Sequence, residues 1–349
     1  MLKTLSITTL RFIITAVVLV LTANMAYAND HNKSGKILMV LSSHGLEQGK
    51  TQPGYEFDEF AKAYLVFKNN GFAIDIASPK GGAVEADRYD ASKPYNKLVL
   101  ADKTAMAMLA NTQATIGLQA ADYVAVFVVG GKGAMFDLPK DQALAQLIAT
   151  IYQNKGSVAA VCHGPAALVN VKLNDGSYLV DGKAVNSFTN IEEQTFGQKW
   201  LPHFEFMLQD KLTERGAKFQ SSGMMLSHVA TDERLITGQN PTSTSMTAEA
   251  LVTSLGYTPV ARQPYQDEAT FALIARVLED DLAAITQLKE HSDNYQLPMI
   301  GMYGFYHAKS AKTDAELKHA LTLMEAAQAA LNNPKLDGQI AKTRLKLMN

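Results

Sequence analysis

Cys162 is the only cysteine in the 349 residues, and it sits inside the stretch VAAVCHGPAAL at 158–168. An unbroken apolar run leads into the thiol. A histidine, a glycine and a proline follow it directly, and then helix-forming residues. That order predicts a buried strand, a sharp turn and a helix start with almost no linker, the geometry that lifts a nucleophile to the edge of a sheet. Backbone N–H groups at a helix N-terminus stabilise a nearby thiolate by about 0.3–1 kcal/mol. Gly164 permits close approach, and Pro165 suits the first helical turn. A lone cysteine is more often a small core residue, but its place at this turn, next to His163, favours nucleophilic chemistry. A second turn, Gly130-Gly131-Lys132-Gly133, ends the strongest apolar run of the chain (YVAVFVV, 123–129). It matches neither the dinucleotide-binding nor the phosphate-loop pattern. The eight histidines are dispersed with no pair at zinc-ligand spacing, so no metal site is expected.

Positioning these turns requires a sheet. Apolar runs at 36–41 (KILMVL), 73–77, 123–129, 157–161 and 235–237 read as strands. Amphipathic spacing at 56–70 (Phe57, Phe60, Tyr64, Phe67), at 142–155 and at 244–255 reads as helices, the first closed by Gly71. A short helix is expected at 103–110 and a long loop over 79–96. Asp181-Gly182 inside 178–185 reads as a two-residue hairpin. Strands alternating with helices imply a parallel sheet covered on both faces, with ligands at the C-terminal strand ends. Both turns lie there. From 261 to 349 no convincing strand remains. Helical periodicity spans 271–289 and 315–331, the latter with a Thr313-Asp314-Ala315-Glu316 capping box and a stop at Asn332-Asn333-Pro334. An appendage of two to four helices is expected, with Ala320, Ala326, Ala327 and Ala330 permitting close packing. Tyr303, Tyr306 and His307 read as its packing aromatics.

Composition excludes several functions. With 32 Lys plus Arg against 34 Asp plus Glu, the net charge is −2, and no basic stripe recommends nucleic acid. One cysteine rules out an internal disulfide framework. Residues 1–28 carry Lys3 and Arg11, an apolar run over 12–21 and a closing Ala26-Tyr27-Ala28. They read as a secretory leader cleaved after Ala28, an uncleaved anchor being the weaker alternative. The expected organisation is therefore a leader at 1–28, an α/β domain at 29–260 and a helical extension at 261–349. The expected place is a periplasm or similar compartment, with no membrane attachment once the leader is removed.

AVCHGPAAL, preceded by VVGGKGAMFDLP and followed by NSFTNIEEQT and LITGQNPTS, resembles the PfpI-type (ThiJ/PfpI, class I glutamine amidotransferase-like) superfamily, and within it the heat-shock chaperone and glyoxalase III branch. The resemblance covers about 36–257 and does not reach the C-terminal helices. It implies a flavodoxin-like parallel-sheet sandwich with a nucleophile elbow at Cys162. It also implies a carboxylic acid from an early helix touching the sulfur. GYEFDE before KNNGF places that acid at Glu59, with Glu56 one turn earlier as the lesser choice. An ionised acid would raise the thiol pKa, so Glu59 is expected to be protonated and to donate to the thiolate. His163 resembles the branch's acid/base histidine, oriented by Glu193 or, nearly as well, by Glu192. Gly131 and the backbone after Cys162 are the implied oxyanion donors. Lys132 departs from the Gly-Gly-His-Gly turn common in the branch, and stands where a substrate could meet it.

The implied activity is cofactor-independent conversion of methylglyoxal or glyoxal to a 2-hydroxy acid through a Cys162 hemithioacetal, the partner being a small dicarbonyl. A stress holdase with a redox-sensing cysteine and an amidase- or peptidase-type hydrolase are the alternatives. A homodimer is the default assembly.

Overall fold

The computed structural model describes residues 35–291 and 294–348. The expected leader lies outside the described residues. Five strands form the parallel centre of one sheet: β1 (Lys36–Val40), β2 (Ala73–Ser78), β4 (Tyr123–Val128), β5 (Ser157–Val161) and β9 (Leu235–Gly238). Their spatial order is β2-β1-β4-β5-β9, the doubly wound flavodoxin-like order. The two-residue strand β3 (Gln113–Ala114) extends one edge in parallel. At the other edge β8 (Val229–Asp232) pairs antiparallel with β9. A separate two-stranded patch joins β6 (Ala184–Val185) to β7 (Lys218–Phe219).

Alternation along each strand explains the layers. Ile37, Met39, Phe127, Ala159 and Val161 face one core, shared with helices α1 (Phe57–Asn69), α2 (Pro94–Leu100) and α3 (Lys103–Ala110). Leu38, Val40, Val126, Val158 and Ala160 face the other. After the short α4 (Ala134–Asp137) comes α5 (Gln142–Gln153), which supplies Leu144, Leu147, Ile148 and Ile151 to that second core. Strands buried on both faces read as continuous apolar runs, which is why the sequence reveals them. Next follow α6 (Asn190–Phe196), α7 (Leu208–Glu214) and α8 (Thr244–Ser254).

Beyond Arg262 the chain forms α9 (Gln266–Leu278), α10 (Leu282–Glu290), α11 (Leu297–Ser310), α12 (Asp314–Leu331) and α13 (Pro334–Met348) around a core of their own. Ala320 and Ala327 are fully buried there and let α11 lie along α12. The Thr313–Glu316 capping box forms, and Asn332 takes the left-handed conformation that ends α12.

Several expectations need correction. The single helix over 271–289 is two, because Asp280 turns to φ +60° and Asp281 caps a new start through the N–H groups of Ala283 and Ala284. The appendage thus shows five helices among the described residues rather than two to four. Pro334 stops α12 but also opens α13 as its first residue. Asp181-Gly182 makes a tight turn but no hairpin. The antiparallel bridge here joins Lys172 to Tyr178 around Gly176, and 184–185 pairs in parallel with β7 instead. The helix after the cysteine is a 3-10 turn over Gly164–Leu168, and the 79–96 loop gives way to α2 at Pro94.

Candidate active site

Cys162 follows β5 with φ +59°, a left-handed conformation that non-glycine residues rarely adopt and that costs of order 1–3 kcal/mol. The surroundings hold it there. Its N–H donates to Gly238 O at 2.8 Å, and its carbonyl accepts from Phe188 N–H at 2.9 Å. The turn aims the thiol at the C-terminal end of the sheet, between β4 and β9. Next to it, Gly130 ends the β4 segment in a space no side chain could share. A Cβ there would lie 2.6 Å from Glu59 Oε2 and 2.8 Å from Cys162 Cβ.

His163 is buried beside the sulfur, with Nδ1 3.3 Å from Cys162 Sγ and Nε2 2.6 Å from Glu193 Oε2. A carboxylate accepting at Nε2 keeps the proton on that nitrogen and leaves Nδ1 as an acceptor facing the thiol. Phe188 tilts against the imidazole with ring centroids 4.6 Å apart and limits its rotation. Burial pushes the Glu193 carboxyl up, but the His163 hydrogen bond and charge outweigh it, with help from Lys132, and hold it below the usual range. Of the two adjacent glutamates, Glu193 therefore reaches the histidine. Glu192 is fully occupied elsewhere. Its Oε2 closes the Thr189 capping box, and its Oε1 accepts from Met225 N–H, Gln239 and Asn240.

Glu59 lies in the first turn of α1 with no solvent exposure, and its Oε2 accepts from Gly130 N–H at 2.7 Å. Burial first, then the neighbouring Glu56, raise its pKa well above the ordinary value, against the opposing contact with Cys162. Burial likewise drives the thiol up, and Glu59 adds to this while Lys132 pulls the other way. Two adjacent buried acids cannot both ionise cheaply, so the pair retains a proton. With that proton on Glu59, the carboxylic acid donates to sulfur and the thiolate becomes accessible. A stability measurement follows. The unfolded chain loses the Glu59 proton near the ordinary value of 4.5, whereas the folded chain, with Cys162 resting as a thiol, keeps it, so the parent loses stability as pH rises above 4.5. Glu59→Gln lacks this dependence. Its melting temperature relative to the parent is expected to climb between pH 4.5 and 8, and a constant difference would mean Glu59 is ionised when folded.

The remaining expected residues also gather here. Gly131 takes φ +96°, and among the described residues neither its N–H nor that of His163 has an acceptor, so both are free for an incoming oxygen. Lys132 is half-buried and electrostatically lowers Cys162, Glu56, Asp87 and Glu193 alike. Glu56 acts electrostatically on the thiol, more weakly than Glu59 does. Asp87, which sequence reasoning missed, accepts from Gly54 N–H at 2.7 Å and fixes the loop over the site. Among the described residues no cluster of three or more His, Cys, Asp or Glu is placed to hold a metal.

The helical appendage braces both acid-bearing helices. Lys62 of α1, nearly buried, pairs with Asp267 of α9 at 2.8 Å, and Tyr95 donates to the same carboxylate at 3.0 Å. Phe196, at the end of the Glu193 helix, meets Tyr306 edge-on with centroids 5.4 Å apart. A cleft of about 280 Å³ runs along this junction between Asp58, Phe196, Met225, Phe271, Met299 and Tyr303, without reaching Cys162. Tyr303 and Tyr306 thus pack as expected and line the cleft as well.

A doubly wound sheet with a strained Cys-His elbow, a buried acid against the sulfur and a second acid behind the histidine defines a class of cysteine-centred flavodoxin-like proteins. Residues 51–254 match the DJ-1/PfpI family model, and the chain belongs to that family. It is 32% identical over 223 residues to the glutathione-independent glyoxalase hsp3102 of Schizosaccharomyces pombe, covering 58% of this chain and 89% of that one. It is 30% identical over 231 residues to glyoxalase 3 of Candida albicans, covering 62% and 97%. Among solved structures it is similar to the Candida albicans glyoxalase III (27% identity, TM-score 0.58, 63% of this chain and 97% of that one). The 24 kDa rapid encystment protein of Francisella tularensis is a further likeness (32% identity, TM-score 0.59, 63% and 99%).

Proposed function

We propose that this protein is an enzyme of the glyoxalase III type, converting α-oxoaldehydes to 2-hydroxy acids without glutathione. The observation that carries the reading is the hydrogen-bonded series Cys162–His163–Glu193, with the buried Glu59 acting on the thiol, in a chain whose named relatives are glyoxalases of this kind.

Each group has a step. The Cys162 thiolate adds to the aldehyde carbon, and the new alkoxide is met by the N–H groups of Gly131 and His163. His163 Nδ1 takes the hydrogen of that carbon as a proton, giving an enediolate, and returns it to the former ketone carbon, whose oxygen takes its proton from water. The aldehyde carbon is thereby oxidised to a thioester while its neighbour is reduced to an alcohol, so no external oxidant enters. Water then releases the 2-hydroxy acid and the thiol. Glu193 stabilises the imidazolium that forms midway, and Glu59 donates to sulfur whenever it is anionic.

The test is lactate formation from methylglyoxal by the purified protein, with glutathione omitted and a chelator present. Turnover is expected under both conditions. A requirement for glutathione, or formation of no lactate by well-folded protein, would remove the assignment.

A further inference from the structure

Gly197, the residue that ends α6, stands four positions beyond Glu193. Side chains four apart share one face of a helix and lie one above the other. A side chain at 197 would therefore rise on the face that carries the Glu193 carboxylate. The overlap is severe. A Cβ on Gly197 would lie 1.6 Å from Glu193 Oε1, 2.6 Å from its Cδ and 2.7 Å from its backbone O. A small shift at the helix end relieves the last of these, but the carboxylate would have to leave.

Backbone conformation gives no other reason for glycine here. Gly71, Gly216 and Gly256, which follow the ends of α1, α7 and α8, take φ of +77°, +89° and +85°, the left-handed conformation that favours glycine. Gly197 has φ −95° and ψ −4°, which any residue adopts. Its backbone is also held in place. The N–H donates to Glu193 O at 2.7 Å, and the carbonyl accepts from Trp200 N–H at 2.8 Å and Leu201 N–H at 3.0 Å. The preceding Phe196 packs against Tyr306. A larger retreat of the chain would break these contacts, so an added side chain displaces the carboxylate instead.

That carboxylate has little else to hold it. Glu193 Oε2 bonds His163 Nε2 at 2.6 Å, whereas Oε1 is buried and has no hydrogen-bond partner among the described residues. One hydrogen bond sets a distance but leaves the carboxylate free to rotate about it. Shape has to fix the rest. We infer that Gly197 is a positioning residue of the catalytic series, its missing side chain forming the seat for Glu193 Oε1 while Oε2 meets His163. The inference rests on the reaction proposed above, in which Glu193 stabilises the imidazolium. Gly197 touches no reacting atom and acts only through Glu193.

The experiment is Gly197→Ala, measured beside Glu193→Gln, the double variant and Gln198→Ala. Alanine suits the backbone conformation and removes no hydrogen bond, so the variant is expected to fold. Its kcat for methylglyoxal should fall about tenfold or more, since a small misplacement of a catalytic group carries losses of this size, with KM little changed. The double variant should be no slower than Glu193→Gln alone, because the seat has no value once the carboxylate charge is gone. Gln198→Ala removes the hydrogen bond from Gln198 Nε2 to Gln194 O at the same helix end and should keep the parent activity. Parent activity in Gly197→Ala, losses that multiply in the double variant, or an equal loss in Gln198→Ala overturns the inference.

If the parent makes no lactate, the reaction fails, but the seat is still read by NMR from the His163 Nε2 proton. A proton held against a carboxylate in a short hydrogen bond resonates far downfield, and the signal is assigned by its loss in His163→Ala. Its presence in the parent and in Gln198→Ala, with loss in Gly197→Ala, supports the seat. Absence from the parent, or an unshifted signal in Gly197→Ala, overturns it.

Discussion

Replacing His163 by alanine is expected to lower kcat for methylglyoxal about 10²–10⁴-fold, the usual contribution of a positioned acid/base group, with a much smaller change in KM. The imidazole is the only ring nitrogen within hydrogen-bonding distance of the sulfur among the described residues, and the proposed reaction moves a proton between adjacent carbons. Glu193→Gln keeps size and burial but loses the charge that fixes the proton on Nε2. It should reduce kcat by about tenfold or more and shift the pH–rate profile, because the imidazolium loses its stabilising partner. Groups that act as a unit are non-additive. The double variant is therefore expected to be little worse than His163→Ala alone. Losses that multiply would show that Glu193 acts independently of His163.

Asp267→Ala is expected to destabilise the protein by about 3–5 kcal/mol, the cost of leaving one partner of a buried ion pair alone. Lys62 has only 4% of its side chain exposed and would keep Glu268, 3.9 Å away, as its one carboxylate partner among the described residues. Tyr95 would lose one of its acceptors too. The pair joins α1, which carries Glu59, to α9 of the appendage, so the appendage helps to hold the acid-bearing helix. Replacing both partners by apolar residues (Lys62→Met with Asp267→Leu) should recover most of the loss, since a matched apolar pair removes the uncompensated charge. Denaturant midpoints of the three variants check this. An unchanged midpoint in Asp267→Ala would mean that the appendage adds nothing to the stability of the sheet domain.

The parallel strands and the elbow were legible because strands buried on both faces need uninterrupted apolar residues, and because glycine, proline and a lone cysteine occur where the chain turns. The choice between Glu192 and Glu193 had a signal in the sequence. Thr189-Asn190-Ile191-Glu192 is a capping box, so the first glutamate was already committed to its own helix N-terminus. The strand β8 was hidden because it lies at an edge, pairs antiparallel and is half exposed, with no apolar run to mark it. The break at Asp280 was hidden for a different reason. Apolar periodicity continues across it from Val277 to Ala284 and Leu288, all three of them buried, and only a left-handed aspartate interrupts the helix. Asp87 and the exposure of Glu56 depend on how two distant loops meet, which spacing along one segment does not encode.

The central claim is that the Cys162 thiolate performs the chemistry. The most direct measurement is lactate formation from methylglyoxal, without glutathione, by the parent and by Cys162→Ala with matched melting temperatures. Turnover by the parent and its loss to background in the variant is the expected result. Comparable turnover by both proteins would contradict the account.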